Sequence, residues 1–145
     1  MNLFIYTGAT DITNSAVTSL TDTTPVTELK QLVAGDDEPL TVQFTTGSAA
    51  PSWASDPLYV LTVALGLATP AGIEDLASTS TFTLTTATRT GSLDLTPALL
   101  INTLRLWLGN NPIRRTGIGM ALQIRIATPT GANINYAQLP VIVQS

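Results

Sequence analysis

The sequence predicts a mainly β protein: an antiparallel β-sandwich, immunoglobulin-like or jelly-roll-like, with one α-helix at about residues 97–108. Several segments alternate apolar and polar residues with the period of two that marks a half-buried strand. Turn residues separate these segments. About one residue in six is threonine, a β-branched type that suits strand faces. The 145 residues are enough for one domain with a sizeable core.

The N-terminal region predicts a strand followed by an arm. Residues 1–6 alternate as a short strand. Residues 7–24 are rich in Thr, Ser, Asp and Asn, so they can bury little apolar surface and are expected to form an arm or a surface loop. We therefore divide the chain into an N-terminal strand and arm, residues 1–25, and a β-sandwich domain, residues 26–145.

The next segments predict a hairpin and then a buried strand. Residues 26–33 and 40–44 alternate on either side of Gly-Asp-Asp-Glu-Pro, where glycine allows positive φ and aspartate caps the turn. Residues 58–67 predict a central strand with both faces partly buried. Residues 68–80 contain proline and glycine and predict a loop.

The second half predicts further strands around one helix. Residues 81–95 alternate again, as do residues 118–127 and 136–143. Between them, Thr96 suits the cap of a helix, Pro97 its first turn and Gly109 the position past its end. Four residues, Leu100, Leu104, Trp107 and Leu108, share one stripe of this helix, so we expect them in the core.

Composition argues against an enzyme. The chain contains no histidine and no cysteine, and only 11% of its residues are charged. It therefore lacks the usual general base, the usual nucleophile pairs and most transition-metal ligands. We expect no catalytic residue, no cofactor and no metal. A surface with so little charge is poorly soluble by itself, which favours its being covered by neighbouring subunits.

Charge is unevenly distributed along the chain. All ten acidic residues lie at or before Asp94, whereas five of the six basic residues lie at or after Arg89. This split favours head-to-tail contacts between copies, although chance in small numbers explains it equally well. The scattered arginines form no basic stripe, so we expect no nucleic-acid partner. No apolar run is long enough for a membrane span and no signal peptide is evident, so we expect intracellular synthesis without conventional export.

Three consecutive acids, Asp36, Asp37 and Glu38, form the one acidic cluster. A calcium site or a glycosidase carboxylate pair is one interpretation. A solvated turn is favoured, because tight turns require Asp and Gly, and consecutive residues rarely place two carboxylates across one substrate.

Three other residues are candidates for contact with a partner. Trp53 lies in a polar loop, where a tryptophan binds a ligand, packs on its own domain or contacts a neighbouring subunit. Arg114 and Arg115 follow the helix and are suited to binding carboxylates of a neighbouring chain; a solvated loop pair is the equal alternative. With the acidic cluster, these residues are our candidate interface.

Residues 26–44 resemble the opening of a known family. Two alternating strands around Gly-Asp-Asp-Glu-Pro-Leu are similar to the "strand–GD–x–x–PL–strand" pattern of the N-terminal β-sandwich domains of tailed-bacteriophage baseplate and tail-fibre proteins. The later strands and helix would complete a sandwich of similar size. The resemblance implies a virion protein, assembled in the host cytoplasm, that self-associates symmetrically and docks onto other structural proteins.

These observations lead to one hypothesis and one alternative. The hypothesis is a non-enzymatic virion structural protein: a tail-fibre anchor, an adaptor, a baseplate protein or a decoration protein, homo-oligomeric, with a trimer as one candidate state. At 145 residues it has no room for a fibre shaft and receptor-binding tip. The alternative is a carbohydrate-binding module that uses Trp53 with Tyr59 or Tyr136.

Overall fold

The structure, a computed structural model, describes residues 1–7, 17–22, 30–45, 49–109 and 117–144. Within these ranges lie ten strands, one α-helix and a short 3-10 helix at Ser52–Ser55. The strands are β1 (Asn2–Thr7), β2 (Val17–Asp22), β3 (Lys30–Val33), β4 (Asp37–Thr45), β5 (Val60–Thr69), β6 (Gly72–Thr79), β7 (Thr83–Thr85), β8 (Thr88–Asp94), β9 (Ile118–Ala127) and β10 (Asn133–Gln144), and the helix is α1 (Ala98–Leu108). No helix in the described part of the chain is long and apolar enough to cross a membrane.

The strands form two five-stranded sheets, which confirms the prediction of a mainly β sandwich. Sheet A has the order β2-β1-β4-β8-β7, and sheet B has the order β3-β10-β9-β5-β6. Most neighbours are antiparallel, but β1 runs parallel to β4 and β3 runs parallel to β10. Both sheets are therefore mixed, a departure from the expected antiparallel arrangement.

The strand order distinguishes between the two predicted sandwich types. If β4, β8 and β7 are read as strands B, E and D, then β6, β5, β9 and β10 fall in the order C′-C-F-G. These seven strands have the order of an immunoglobulin-type sandwich, whereas β1, which runs parallel to β4, departs from its antiparallel pattern. In that comparison α1 belongs to the connection between strands E and F.

One core lies between the sheets. It is built from alternate residues of the strands, because successive side chains of a strand point to opposite faces. Sheet A contributes Leu3, Ile5, Leu40, Val42, Phe44 and Leu93, and sheet B contributes Leu32, Leu61, Val63, Leu65, Met120, Leu122, Ile124, Ile126, Val141 and Val143. The alternation predicted for residues 118–127 is confirmed, since even-numbered residues from 120 to 126 are buried there and Gln123 and Arg125 face outward.

The predicted hairpin around residues 35–39 is wrong. The turn at Gly35, whose φ is +99°, connects β3 to β4, but β3 belongs to sheet B and β4 to sheet A. The chain crosses here from one layer to the other. As a result Leu32 and Leu40 enter the same core from opposite sheets, an arrangement that a pairing of β3 with β4 would not produce.

The predicted N-terminal arm is partly a strand. Residues 17–22 form β2, which pairs antiparallel with β1, and β1 lies against β4 with Leu3 and Ile5 buried. The first two strands therefore belong to sheet A of the sandwich. The remainder of the arm, residues 8–16 and 23–25, lies outside the described residues.

The predicted loop at residues 68–80 is wrong for most of its length. Residues 72–79 form β6, which pairs antiparallel with β5. Pro70 and Ala71 form the two-residue connection of this hairpin, and the Thr69 hydroxyl donates to the Gly72 carbonyl at 2.8 Å. Proline and glycine indicate a turn correctly here, but a tight one between paired strands.

The helix lies where the sequence predicts it, with one difference in its packing. It begins one residue later than expected, at Ala98, and ends before Gly109, whose φ is +54°. Leu100 and Leu104 are buried as predicted, but Trp107 is 54% exposed, so its placement in the core is wrong. The side chain of Leu108 is outside the described part.

We predict that Leu104→Ala lowers the free energy of unfolding by about 2–5 kcal/mol, because Leu104 is 1% exposed and its loss leaves a cavity. Arg105→Ala is the control on the same helix; Arg105 is exposed and lies outside the buried stripe, and we expect a change within about 0.5 kcal/mol. Urea denaturation of both variants is the measurement. Equal effects would contradict the packing of α1 described above.

Candidate functional site

The acidic cluster is split between different surroundings. Asp36 lies in the turn, and Asp37 and Glu38 begin β4. Asp37 is exposed, whereas the Glu38 side chain is 17% exposed and its carboxylate lies 3.2 Å from the N-terminal ammonium of Met1. Consecutive strand residues point to opposite faces, so Asp37 and Glu38 are poorly placed to act on one substrate. Among the residues that the structure describes, no group of three or more acidic side chains could hold a metal ion.

The turn that carries these acids is attached to the start of the helix. The Gly35 N–H donates to the Leu95 carbonyl at 2.8 Å, and the Leu95 N–H donates to the Asp36 carbonyl at 3.0 Å. Asp37 pairs with Asp94 in the β4–β8 register. Exposed carboxylates at positions 36, 37 and 94 therefore lie near the segment that leads into α1.

Trp53 lies in the core, which corrects its prediction as an interface residue. It is 6% exposed. Its ring lies 4.8 Å from the Phe44 ring and 5.8 Å from the Tyr59 ring, measured between centroids, and both pairs are tilted. The tryptophan therefore packs on its own domain, and its face is not available to a ligand.

Arg89 is a buried cation that the sequence analysis did not single out. It points inward from β8, is 5% exposed, and reaches the segment that carries Trp53. Its guanidinium donates to the backbone carbonyls of Ala54 (3.4 Å), Asp56 (3.0 Å) and Tyr59. One side chain thus binds the polypeptide at three points over six residues and holds the segment against sheet A.

Burial and charge act in opposite directions on Arg89. Desolvation lowers the pKa of the guanidinium, and the nearby charge of Asp56 offsets part of that effect. Arginine stays protonated in proteins even when its pKa falls, so the core contains a positive charge held mainly by carbonyl dipoles. The Nε–H of Arg89 has no hydrogen-bond partner among the described residues.

The pattern of β8 contains the signal for Arg89. Positions 89, 91, 93 and 95 share one face by the period of two, and Leu93 and Leu95 on that face are buried. An arginine on the apolar face of an alternating strand predicts a buried charge that needs acceptors. Such a residue is structural here, because every acceptor it uses is a backbone carbonyl.

Three of the exposed large apolar side chains of the described residues lie on α1, and the others, Val33, Leu58 and Val60, lie elsewhere. Leu99 is 52% exposed, Leu106 is 81% exposed and Trp107 is 54% exposed. With Thr103 they occupy positions i, i+4, i+7 and i+8 of one helix, so they form a second apolar stripe beside the buried one. We call this set, Leu99, Thr103, Leu106 and Trp107, the α1 stripe.

Thr103 contributes apolar surface to the stripe. Its hydroxyl donates to the Leu99 carbonyl one turn earlier, at 2.7 Å. That bond satisfies the hydroxyl proton within the helix. The side chain at the centre of the α1 stripe is therefore small, and its hydroxyl needs no acceptor outside the helix. Another surface can approach closely there.

The two ends of α1 differ in charge. Asp94 precedes the helix, and its carboxylate accepts from the Thr96 hydroxyl at 2.5 Å and from the Thr96 N–H at 2.8 Å. The hydroxyl bond first, and then the backbone bond, lower the pKa of Asp94. Arg105, exposed, lies in the last turn. Thr96 was expected to cap the helix directly; Pro97 occupies the cap position instead, and Thr96 binds Asp94.

The outward face of sheet A is polar but largely uncharged. Thr83 pairs with Thr90, Thr85 pairs with Thr88, and Thr90 also lies opposite Thr41. The Gln43 amide donates to the Thr88 hydroxyl at 2.8 Å. Beyond Asp37 and Asp94, the described outward side chains of β4, β7 and β8 carry no charge. The outward face of sheet A therefore exposes mainly threonine hydroxyl and methyl groups.

The outward face of sheet B contains an ion pair. Arg125 of β9 donates to both carboxylate oxygens of Asp75 of β6, at 2.7 and 2.6 Å, and to the Gln123 amide oxygen at 2.6 Å. The hydrogen bond to Asp75 raises the pKa of Arg125. The pair spans β5, and both partners satisfy each other within the chain, so this face offers no free charge at its centre.

Arg114 and Arg115 lie outside the described residues. The structure therefore brings together, at one end of the sandwich, the exposed acids 36 and 37 and the helix, and it removes Trp53 from the set. The α1 stripe is the surface that sequence reasoning missed. The sequence contains a signal for this stripe, because Leu99 and Leu106 are apolar but lie outside the stripe of the helix that faces the core.

Comparison of the chain with protein-family models, with curated proteins and with solved structures finds no match.

We predict that Arg89→Met lowers the free energy of unfolding by about 2–4 kcal/mol, because three backbone carbonyls lose their donor in a buried or partly buried site. Near-ultraviolet circular dichroism should also change as Trp53 loses its fixed surroundings. Arg125→Met is the matched control, for which we expect at most about 1 kcal/mol because the ion pair is partly exposed. A larger loss at Arg125 than at Arg89 in urea denaturation would contradict this assignment.

We predict that Asp94 makes stability depend on acid pH. Its folded pKa is depressed, so its stabilising contribution is present above its unfolded pKa, about 4, and is lost as pH falls through the folded value. The difference in Tm between wild type and Asp94→Asn should therefore shrink as pH falls from 6 toward 2. Thr96→Val, which removes the principal hydrogen bond, should reduce the same dependence. A difference that stays constant with pH would exclude this role.

Proposed function

We propose that the chain is a non-enzymatic structural protein of a tailed-phage-like virion, which acts by associating with copies of itself and by docking onto other virion proteins. The observation that carries the proposal is the α1 stripe, where three large apolar side chains are exposed along one face of the helix. Exposed apolar patches mark interaction surfaces. The low-charge outer face of sheet A is a further surface of the kind that assembly covers.

The virion assignment rests on the resemblance of residues 26–44 to the opening of baseplate and tail-fibre β-sandwich domains. Within such a particle the chain would serve as a tail-fibre anchor, an adaptor, a baseplate protein or a decoration protein. Its localisation would be the virion, after assembly in the host cytoplasm.

The chemistry of the chain supports a binding role over catalysis. Without histidine or cysteine, proton transfer would fall to carboxylates, arginine or the one lysine. Of the described arginines, one is buried on carbonyls and one is paired with Asp75. The glycan-binding alternative depended mainly on Trp53, whose burial leaves it without that aromatic platform.

We expect the purified chain to show a mass above that of one copy by size-exclusion chromatography with light scattering, increasing with concentration. Denaturation and refolding should restore the same species, because association follows from the folded surface. A strictly monomeric species at every concentration would contradict self-association. A saturable tryptophan-fluorescence change on titration with glycans, at monomeric mass, would favour the carbohydrate-binding alternative.

A further inference from the structure

We propose that the Asp56–Pro57 peptide bond is a self-cleavage site, which the folded chain cuts once by attack of the Asp56 carboxylate on its own main-chain carbonyl. The reaction takes place within one chain and does not turn over, so it goes beyond the proposed structural role and does not depend on it. This is the one Asp–Pro bond in the sequence. It lies in the segment that Arg89 holds against sheet A.

Two donors among the described residues contact the carbonyl oxygen of this bond. The main-chain oxygen of Asp56 accepts a hydrogen bond from the Arg89 guanidinium at 3.0 Å and another from the Tyr59 N–H at 3.2 Å. A carbonyl under attack becomes a tetrahedral carbon with a negatively charged oxygen, and donors already fixed around that oxygen stabilise the charge. A cation and a backbone N–H on one oxygen therefore have the composition of an oxyanion hole.

The Asp56 side chain is held close to the same bond. Its Oδ1 accepts a hydrogen bond from the Leu58 N–H at 2.9 Å, which closes a turn across Pro57 and keeps the carboxylate near the Asp56–Pro57 peptide group. Carboxylates act as nucleophiles in covalent catalysis. Attack by a group on the reacting residue also avoids the entropy cost of bringing two molecules together.

Proline suits the departing side of the bond. Its ring nitrogen carries no hydrogen, so the bond is a tertiary amide. That nitrogen leaves as a secondary amine, which is basic and readily takes a proton. Pro57 is exposed and Asp56 is half-buried, so solvent can supply the proton and reach the product.

The reaction balances with water as the only other reactant. An oxygen of the Asp56 carboxylate bonds to the Asp56 carbonyl carbon, and the π electron pair of the carbonyl moves to the oxygen held by Arg89 and Tyr59. The pair then returns and the bond to the Pro57 nitrogen breaks; the nitrogen keeps the electron pair of that bond and takes a proton from solvent. Asp56 is left as a cyclic anhydride, which a water molecule opens to a pair of carboxyl groups.

The cut chain is expected to stay assembled. Cleavage separates β1, β2, β3 and β4 from the later elements, but β4 pairs with β8 and β3 pairs with β10 across the cut. Residues 1–56 and 57–145 should therefore remain together under native conditions and separate on denaturation. The product differs from the intact chain by a new N-terminus at Pro57.

Incubation in mildly acidic buffer, followed by mass spectrometry under denaturing conditions, tests the inference. The pH is the lowest at which the circular-dichroism spectrum matches that at neutral pH. We expect fragments 1–56 and 57–145, whose masses sum to that of the chain plus one water. Acid alone slowly hydrolyses Asp–Pro bonds, so the reference is the same chain unfolded in urea in the same buffer.

The folded chain should cleave at least tenfold faster than the unfolded chain, because only the folded chain places Arg89 and Tyr59 on the carbonyl oxygen. Loss of one such donor slows enzymes by about 100-fold to 1,000-fold. Equal or slower cleavage of the folded chain would overturn the inference. The rate should not depend on protein concentration; a rate that rises with concentration would indicate that one copy cuts another and would overturn the mechanism.

Two variants and an internal control test the chemistry. Asp56→Asn keeps a side-chain acceptor but removes the carboxylate, and Pro57→Ala removes the tertiary amide at an exposed position. Each should reduce the rate of the folded chain at least tenfold, and an unchanged rate in either would contradict the proposed attack. The bond after Asp94 is the control, because the Asp94 carboxylate also accepts from the N–H two residues later, that of Thr96, but no proline follows. Cleavage there at a similar rate would likewise contradict it.

Discussion

Burial of one face of nearly every strand is the constraint on which the rest of this structure depends. With little charge and few large aromatic residues, the chain gains its stability mainly from aliphatic side chains that alternate along the strands and meet between two sheets. The crossing at Gly35 follows from this constraint, since Leu32 and Leu40 both need the core but approach it from opposite layers. The parallel position of β1 follows as well. It places Leu3 and Ile5 beside Val42 and Phe44, so the N-terminal strand completes the inner face of sheet A.

Arg89 is the polar exception within this core, and its surroundings show how a buried charge is tolerated. Backbone carbonyls of the segment 54–59 supply the acceptors, so the arginine and that segment depend on each other. The same contact fixes the position of Trp53, which packs between Phe44 and Tyr59. The described part of the connection between β4 and β5, residues 49–59, thereby contributes Trp53 and Ala54 to the core. A tryptophan that looks like a binding residue in the sequence becomes a packing residue for this reason.

The core contains a buried charge, and the surface shows the reverse: apolar side chains are exposed at positions where most proteins have charged ones. The helix connecting β8 and β9 has too many apolar positions for one buried stripe, and the surplus faces solvent. The sheet faces add threonine hydroxyls and an internally satisfied ion pair, neither of which strongly repels a neighbour. This surface is the basis of our proposal that the chain associates with copies of itself.

The alternation of apolar residues determined the mainly β class, the positions of β5, β9 and β10, the inward residues of β9, and the helix to within one residue. These features are local, because a period of two or of 3.6 is set by the backbone itself. The sequence by itself also shows that the chain has no histidine, no cysteine and few charged side chains. Only the tertiary structure decided which strands pair. The strand β3 pairs with β10 and not with β4. The segments expected to form an arm and a loop contain β2, which pairs with β1, and β6, which pairs with β5. Strand pairing joins residues that are far apart in the sequence, and the alternation of apolar and polar residues within a strand is the same whichever strand lies beside it. The tertiary structure also decided whether Trp53, Arg89 and Trp107 are buried or exposed, because burial depends on which other parts of the chain pack against a side chain.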